Sequence, residues 1–351
     1  MSLYVDYSNV GSGRKITGIE RIALDTFSAE ALAPIEARHV RANGAMGMVA
    51  AQCLGLPARM LADSHALAIC PGFPPSIPLI LAGGDRVIAY IHDLFLLTRP
   101  GDLNLKAKLY MRPALRAAVT KLRYFLTNSE YTASELRKWT RRDAEIMLMR
   151  PQARNVFGLT PIERPDKAAG DPLKLLALST IEPRKNLSAA AAIRRELERR
   201  LSREVHLTIV GRDGWGDDSE TLRREPHVFL PGYLPVSAVR KLADEADIFI
   251  STSNDEGLGL PLLEIQYGGL AVVASDIAVF REVLDQSGLL VDPARPDESA
   301  DAIVEMISAP HWRRAKNDAA AANLSRWNAL AAKDSADFKA WLADLVGTTD
   351  A

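Results

Sequence analysis

The chain predicts an α/β protein made of two Rossmann-like, doubly wound domains, and three observations carry that expectation. Short apolar runs alternate with longer helical patterns from one end to the other, which is the rhythm of βαβ units on a parallel sheet. The runs are almost continuously apolar, as strands covered on both faces should be. The pattern then restarts after "ERPDKAAGDP", Glu163 to Pro172, a polar segment with the Pro, Gly and Ala content of an interdomain linker. At 351 residues the chain exceeds one ordinary core and suits two domains of roughly 150–200 residues each. The expected division is 1–165, 166–325, and a C-terminal helix over 326–351 that crosses back to the first domain.

In the first half the strand candidates are "LYVDYS", "HALAICPG", "RVIAYIHD", "YFLTNS" and "EIMLMR", with helical stretches from Gly18 to Ala33 and from Leu105 to Val119. In the second half they are "LKLLALST", "VHLTIVG", "HVFLPG", "ADIFIST", "LAVVASD" and "GLLVDP". The tail from Leu324 to Leu345 has helical spacing at Trp327, Leu330, Phe338, Trp341 and Leu345.

Composition narrows the function classes. A formal net charge of −1 excludes a globally basic nucleic-acid binder. Cys53 and Cys70 offer neither a disulfide framework nor a metal-ligand spacing. The N-terminus lacks the apolar stretch of a signal peptide, and no run of about 18 apolar residues stands out as a membrane span. The cytoplasm is the expected compartment.

The densest signal is "SNDEGLGLPLLEIQYGG" from Ser253, where Glu256 and Glu264 flank a stretch of glycine, leucine and one proline. It directly follows a strand, the position at which open α/β sheets bind ligands. Pro261 suits the first helical position. Gly257 and Gly259 would let backbone amides approach a ligand, and with the helix dipole they would favour a diphosphate. The carboxylates suit hydroxyls: Glu256 on the sugar side of a nucleotide sugar, Glu264 on its ribose. The bland reading is that Glu256 ends a strand and Glu264 stabilises the helix N-terminus.

The segment "NDEGLGLPLLEIQYGGLAVVASDIAVFREVLDQSGLLVDPARPD" resembles the donor site of the retaining glycosyltransferases of family four, which have the GT-B fold, two such domains facing across a deep cleft. Their signature is two glutamates separated by seven residues, matched here by Glu256 and Glu264. Leu270, Ala271 and Ile265 stand where the family commonly has Pro, Val and Ala. The resemblance implies substrate contacts from Gly257, Leu258, Gly259 and Leu260, and no metal requirement.

"LALSTIEPRKNLSAA" puts Arg184 and Lys185 between a strand and a helix, where two cations suit a diphosphate; in isolation such a pair is usually a solvated turn. "EPRKN" is similar to the family's phosphate loop, although Ser179 and Thr180 replace an arginine found earlier in many members, so Lys185 is the safer phosphate ligand. Gly211 in "VGRDGWGDDSE", with Trp215, and Gly232 and Tyr233 in "HVFLPGYLPVSAVRKLADEAD" resemble segments near the nucleotide base.

In the first half, Ile16 occupies the last glycine position of a dinucleotide fingerprint begun by Gly11 and Gly13, which weakens a dehydrogenase reading. "TGIERIALDTF" instead resembles the first helix of the family's N-terminal domain, implying that Gly18 faces the donor diphosphate, with Glu20 a first-turn stabiliser. "IHDLFLLTRP" also resembles a family segment. Its His92 and Asp93 would contact the donor sugar or assist the acceptor hydroxyl, and a structural histidine is the alternative. Asn128 and Ser129 would line the acceptor pocket or cap a helix. Between Arg99 and Arg123, seven cations face only Asp102. Lys108, Arg112 and Arg116 would share one helical face opposite Leu105, Leu109 and Leu115. That face would either be solvated or rest on anionic lipid.

The sequence thus reads as a retaining, metal-independent hexosyltransferase without cofactor, at work in polysaccharide or glycan synthesis. Glu256, Lys185 and His92 are the expected catalytic groups, and a mannose-like sugar on a nucleotide diphosphate, GDP ahead of UDP, is the expected donor. The acceptor would be a hydroxyl of a saccharide or lipid-linked saccharide, with peripheral contact at the inner face of the membrane. A sugar-nucleotide 2-epimerase, a phosphorylase and a non-catalytic nucleotide-sugar-binding subunit are the rivals.

Overall fold

The computed structural model describes residues 2–10, 17–99, 101, 107–162 and 170–347. The chain divides into two compact units, Met1–Gln152 with Ala329–Ala351, and Ala153–Asn328. Each contains a six-stranded, wholly parallel sheet, as the apolar runs require. Two α/β units of this kind are what the sequence reading expects.

In the first unit β1 (Leu3–Tyr7), β2 (Ala37–Arg41), β3 (Leu67–Cys70), β4 (Val87–Ile91), β5 (Tyr124–Thr127) and β6 (Glu145–Leu148) stand in the order β2-β1-β3-β4-β5-β6. In the second, β7 (Leu173–Leu178), β8 (Val205–Val210), β9 (Val228–Gly232), β10 (Ile248–Ser251), β11 (Ala271–Ser275) and β12 (Leu289–Val291) stand in the order β12-β11-β10-β7-β8-β9. The winding direction therefore reverses between β1 and β3, and again between β7 and β10. At such switch points the loops beyond the carboxyl ends of adjacent strands diverge and leave a crevice.

The units divide at Gln152, earlier than the polar segment suggested, because the chain just beyond already belongs to the second unit. The Tyr267 hydroxyl donates to the Ala153 carbonyl at 2.8 Å, and Leu159 is buried. Of that polar segment, 163–169 lies outside the described residues. The last helix, Trp312–Gly347, begins well before the expected start and spans the division. Within the first unit its Phe338 packs edge-on to Phe27 at 5.9 Å and its Trp341 to Tyr124 at 5.2 Å. Buried Arg150 donates to its Asp334 at 2.9 Å, and breaking such a buried pair typically costs about 3–5 kcal/mol.

Three features of the first unit differ from the sequence reading. The expected helix from Gly18 breaks at Ser28, whose hydroxyl caps a separate short helix through the Ala31 N–H at 3.2 Å. β2 was not anticipated, because "ARHVR" is charged; it is an edge strand with a half-exposed burial pattern, where such residues are tolerated. A continuous helix, Gly44–Ala62, meets the length and composition needed to cross a membrane, with a mean hydropathy of 1.2. Gln52 and Arg59 interrupt its apolar run and hid it from the sequence reading. This helix, the Ile77–Gly83 helix and the Arg112–Lys121 helix cover one face of the sheet, since Met60, Leu79 and Leu115 share a core with Cys70, Ala89 and Phe125.

Candidate functional site

The second unit's switch point gathers the acidic and basic residues picked out in the sequence. After β7 the chain makes a single tight turn, Pro183–Lys185. Asn186 then takes the left-handed conformation, φ 49°, and starts the fifteen-residue helix Leu187–Leu201. After β10 the chain runs beside that turn. The Asn254 N–H donates to the Arg184 carbonyl at 2.9 Å, and the Thr252 hydroxyl donates to the Asn186 carbonyl at 2.8 Å. The two loops are thus joined backbone to backbone, and Glu256 meets Arg184 and Lys185.

Glu256 is buried and over-supplied with donors. It accepts from Arg184 Nη1 at 2.8 Å, from Ser253 Oγ at 2.8 Å, and from the Lys185 ammonium. Burial alone would raise its pKa, but the Lys185 and Arg184 charges outweigh that and hold it below the ordinary carboxylate value. Arg184 also donates to the Asp255 carbonyl at 2.9 Å and to Glu182 at 2.6 Å. Its guanidinium is therefore committed mostly to protein acceptors, and it positions the loop. Lys185, with three N–H donors on one charge, keeps hydrogens for an incoming anion.

The glycines act through space and conformation. A Cβ on Gly211 would lie 1.8 Å from the Ser179 carbonyl oxygen, so this position must be glycine for the loops after β7 and β8 to touch. Gly259 has φ 91°, and a Cβ there would meet Phe280 at 2.7 Å. Gly232 closes β9 with φ 76° and no neighbour within reach, and Tyr233 beside it is half exposed under the Arg212 guanidinium at 5.2 Å.

Gly257 and Leu258 are buried, and Leu260 opens the helix Leu260–Gln266. That helix has seven residues, with Pro261 second and Glu264 fifth. Glu264 is therefore past the first turn, contrary to the sequence reading, and it is buried. So short a helix has a weak dipole, and an anion here would depend on Lys185 and the start of the longer Leu187–Leu201 helix.

In the first unit His92 lies just beyond β4 and is buried. Its Nε2 is 2.7 Å from the Pro71 carbonyl, which follows β3, and its ring tilts against Tyr90 at 4.3 Å. Burial lowers its pKa to about 4, only partly opposed by the Pro71 bond. The ring is neutral at pH 7, with Nε2–H donating and Nδ1 a buried acceptor without a partner. Asn128 donates to the His92 carbonyl at 3.0 Å, while Ser129 caps its helix through the Thr132 N–H. Asp93 accepts from the Phe95 N–H at 3.2 Å and closes a turn. Gly18 is exposed at the start of its helix, where Thr17 and Glu20 form a reciprocal capping box. Gly11, Gly13 and Ile16 lie outside the described residues.

Residues 160–323 match the family described as Glycosyl transferases group 1. Across 241 residues the chain is 26% identical to O-antigen chain mannosyltransferase B of Escherichia coli, covering 65% of this chain and 63% of that one. It is 31% identical over 139 residues to the serotype-specific mannosyltransferase WbdA of Escherichia coli, 38% of this chain and 17% of that one. The chain thus spans less than two thirds of these relatives. Among solved structures, sucrose-phosphate synthase from Thermosynechococcus elongatus superposes with a TM-score of 0.71 at 14% identity, over 98% of this chain and 100% of that one. HepE of Anabaena, in complex with UDP and glucose, gives 0.66 at 15%, with the same coverage.

The segment that matches the family model contains the switch-point loops with Arg184, Lys185, Glu256 and Glu264, whereas His92, Asp93 and Gly18 lie outside it. Sequence reasoning missed Glu182 and Ser253, the buried partners of Arg184 and Glu256, because nothing in their spacing marks them. Among the described residues one other cluster groups possible metal ligands: Glu204, His206 and His227, within 4.8 Å of one another. It sits at the amino end of β8 and β9, opposite the switch-point loops. Each histidine there already has an acid partner, Glu204 at 2.9 Å for His206 and Glu198 at 2.8 Å for His227.

Proposed function

We propose that this protein is a retaining glycosyltransferase that moves a mannose-like hexosyl group from a nucleotide diphosphate sugar to a hydroxyl of a saccharide or lipid-linked saccharide. The observation that carries the reading is the Arg184–Lys185–Glu256 cluster at a switch point of a group 1 domain. Two cations and two acids, Glu182 and Glu256, balance formally there. A diphosphate therefore competes with Glu256 for Lys185 and draws the ammonium toward itself as leaving-group charge grows. Catalysis is mostly positioning and electrostatic stabilisation of that charge, so turnover needs no divalent ion and survives chelation.

Glu264 takes the ribose hydroxyls. Gly257 to Leu260 approach the diphosphate through their backbone, and the Tyr233 ring flanks the base. Neutral His92 accepts a hydrogen bond from a sugar hydroxyl at Nδ1 and does not serve as an acid. A phosphate oxygen of the leaving group takes the acceptor proton on the same face. The mannosyltransferase names of the two relatives support a mannose-like hexose, and the UDP complex of HepE supports a nucleotide diphosphate carrier. The work is placed at the inner face of the membrane, where the basic helix of the first unit meets anionic lipid.

The test is a hydrolysis screen with GDP-mannose, UDP-glucose and further nucleotide sugars, without acceptor and with chelator present. Release of GDP with an α-configured sugar is expected. Free epimerised nucleotide sugar would replace this reading with the epimerase, and binding without turnover would replace it with a sensor.

A further inference from the structure

At the end of its sheet away from the switch point, the second unit brings two histidines and two acids together. Glu204 and His206 stand two residues apart at the start of β8 and so share one face of the strand. His227 immediately precedes β9, and its carbonyl accepts from the Leu207 N–H at 2.9 Å, which fixes it beside His206 through the backbone. The two rings lie 5.3 Å apart, and Phe229 meets the His206 ring edge-on at 5.4 Å. One nitrogen from each ring and one Glu204 oxygen fall within 4.8 Å of one another. His227 holds this place with a left-handed backbone, φ 58°, a conformation that few residues with a side chain adopt.

The set has the supports that a metal site needs. His227 Nδ1 lies 2.8 Å from Glu198 on the helix Leu187–Leu201, which leaves Nε2 as the ligand. A carboxylate on the far ring nitrogen is what orients a metal-bound imidazole. Buried Arg194 anchors Glu198 at 2.7 Å and also donates to the Val205 carbonyl at 3.3 Å, so helix and strand are tied beneath the site. The neighbouring Arg195 is paired with Glu225. His206 Nε2 is 2.9 Å from Glu204 Oε2. Tetrahedral zinc, with ligand bonds of about 2.0–2.2 Å, requires ligand edges of about 3.3 Å. That pair must therefore open slightly, and the remaining gaps must close by about 1.5 Å at most. Glu204 and His227, with side chains 59% and 36% exposed, have room to move that far.

We propose that Glu204, His206 and His227 bind one zinc ion, with water as the fourth ligand on the solvent side and Glu198 behind His227. Two imidazoles and a carboxylate suit zinc, whereas calcium and magnesium require oxygen ligands. The ion pins the start of β9, the last strand of its sheet, to β8 and, through Glu198, to the helix. Three protein ligands and a water make a site that exchanges with the medium, so the stability of this unit follows the available zinc. The inference is independent of the glycosyltransferase reading. Chelation is expected to spare donor turnover at the switch point but to lower the melting temperature through this site.

The test is calorimetry of the full, untagged chain, first stripped with chelator, against zinc chloride, with thermal melts of the stripped and loaded forms. One ion per chain and a higher melting temperature on loading are expected, and magnesium should not compete. Glu198→Gln should lose about 10–100-fold in zinc affinity, the usual cost of removing the carboxylate behind a ligating imidazole. His206→Gln and His227→Asn should each lose more, and asparagine keeps the left-handed backbone accessible. Both histidine variants lie at the surface and should melt like the stripped wild type, with no rise on adding zinc. Absence of a saturable zinc isotherm overturns the proposal. So does an isotherm that both histidine variants retain, which would assign the ion to other residues, and so does binding that leaves the melting temperature unchanged. Loss of donor hydrolysis on chelation, with zinc binding as described, would count against metal-independent transfer alone.

Discussion

His92 and Glu256 are both buried ionisable groups a few residues beyond the carboxyl end of a strand, one in each unit, and they are kept in opposite charge states. His92 has one carbonyl partner and no neighbouring charge of opposite sign, so desolvation decides and the ring stays neutral. Glu256 has two cations and a hydroxyl on it, so Coulomb attraction outweighs desolvation and it stays ionised. The difference is one of partners rather than of depth. It also separates two kinds of preorganisation: a neutral acceptor that can discriminate hydroxyls, and a charge cluster that can follow a developing phosphate charge.

Removing Lys185 should have the largest effect. Lys185→Ala should lower kcat about 10²–10³-fold, the scale of losing one preorganised electrostatic donor, with a much smaller change in the dissociation constant for donor. That asymmetry reflects charge on the diphosphate growing toward the transition state, and steady-state kinetics beside calorimetry with GDP would measure it. Equal kcat in variant and wild type would reduce Lys185 to a counter-ion of Glu256.

Glu256→Gln should come next, through stability. It leaves Arg184 and Lys185 without their carboxylate. Breaking a buried pair costs about 3–5 kcal/mol, and the 16% and 19% exposure of the two cations reduces this to about 2–3 kcal/mol by screening. The sign with pH follows from the depressed pKa. Glu256 contributes above the unfolded carboxyl value of 4.5, and the contribution fades as pH falls through its lower folded value. Urea melts of wild type and variant should therefore differ at pH 7 and converge in acid. A constant difference would mean that the stability comes from hydrogen bonds rather than charge.

The same contrast explains what was legible in the sequence. The second unit's strands are continuous apolar runs, and all six were readable. The Glu256–Glu264 spacing and the Arg184–Lys185 pair stood out because charge in a glycine-rich, apolar setting is conspicuous. Their mutual ion pairing was not readable. It depends on two loops 66 or more residues apart being joined at Thr252 and Asn254, and no local pattern encodes that. In the first unit the sheet was readable except at its edge, where Arg38 and Arg41 disguise β2. The Gly44–Ala62 helix was missed because Gln52 and Arg59 break its apolar run into pieces too short to stand out, while too few other polar residues mark a helical period.

The smallest expected effect isolates His92. Its ordinary value of 6.5 falls to about 4 on folding, so the unfolded chain binds the proton first. Stability should then decline as pH drops below 6.5, by about 1.4 kcal/mol per unit, and level off near 4. Between pH 7 and pH 5 this amounts to about 2 kcal/mol. Buried Asp6 works in the other direction, because desolvation raises its pKa and stability from it increases as pH falls toward that value. The comparison must therefore be between wild type and His92→Gln, which can keep a donor for the Pro71 carbonyl. Chemical denaturation from pH 7 to pH 4.5 should show the variant's dependence flatter than wild type's, since only wild type has a proton to exclude. Parallel curves would mean that the imidazole is protonated in the folded state, and the contrast with Glu256 would disappear.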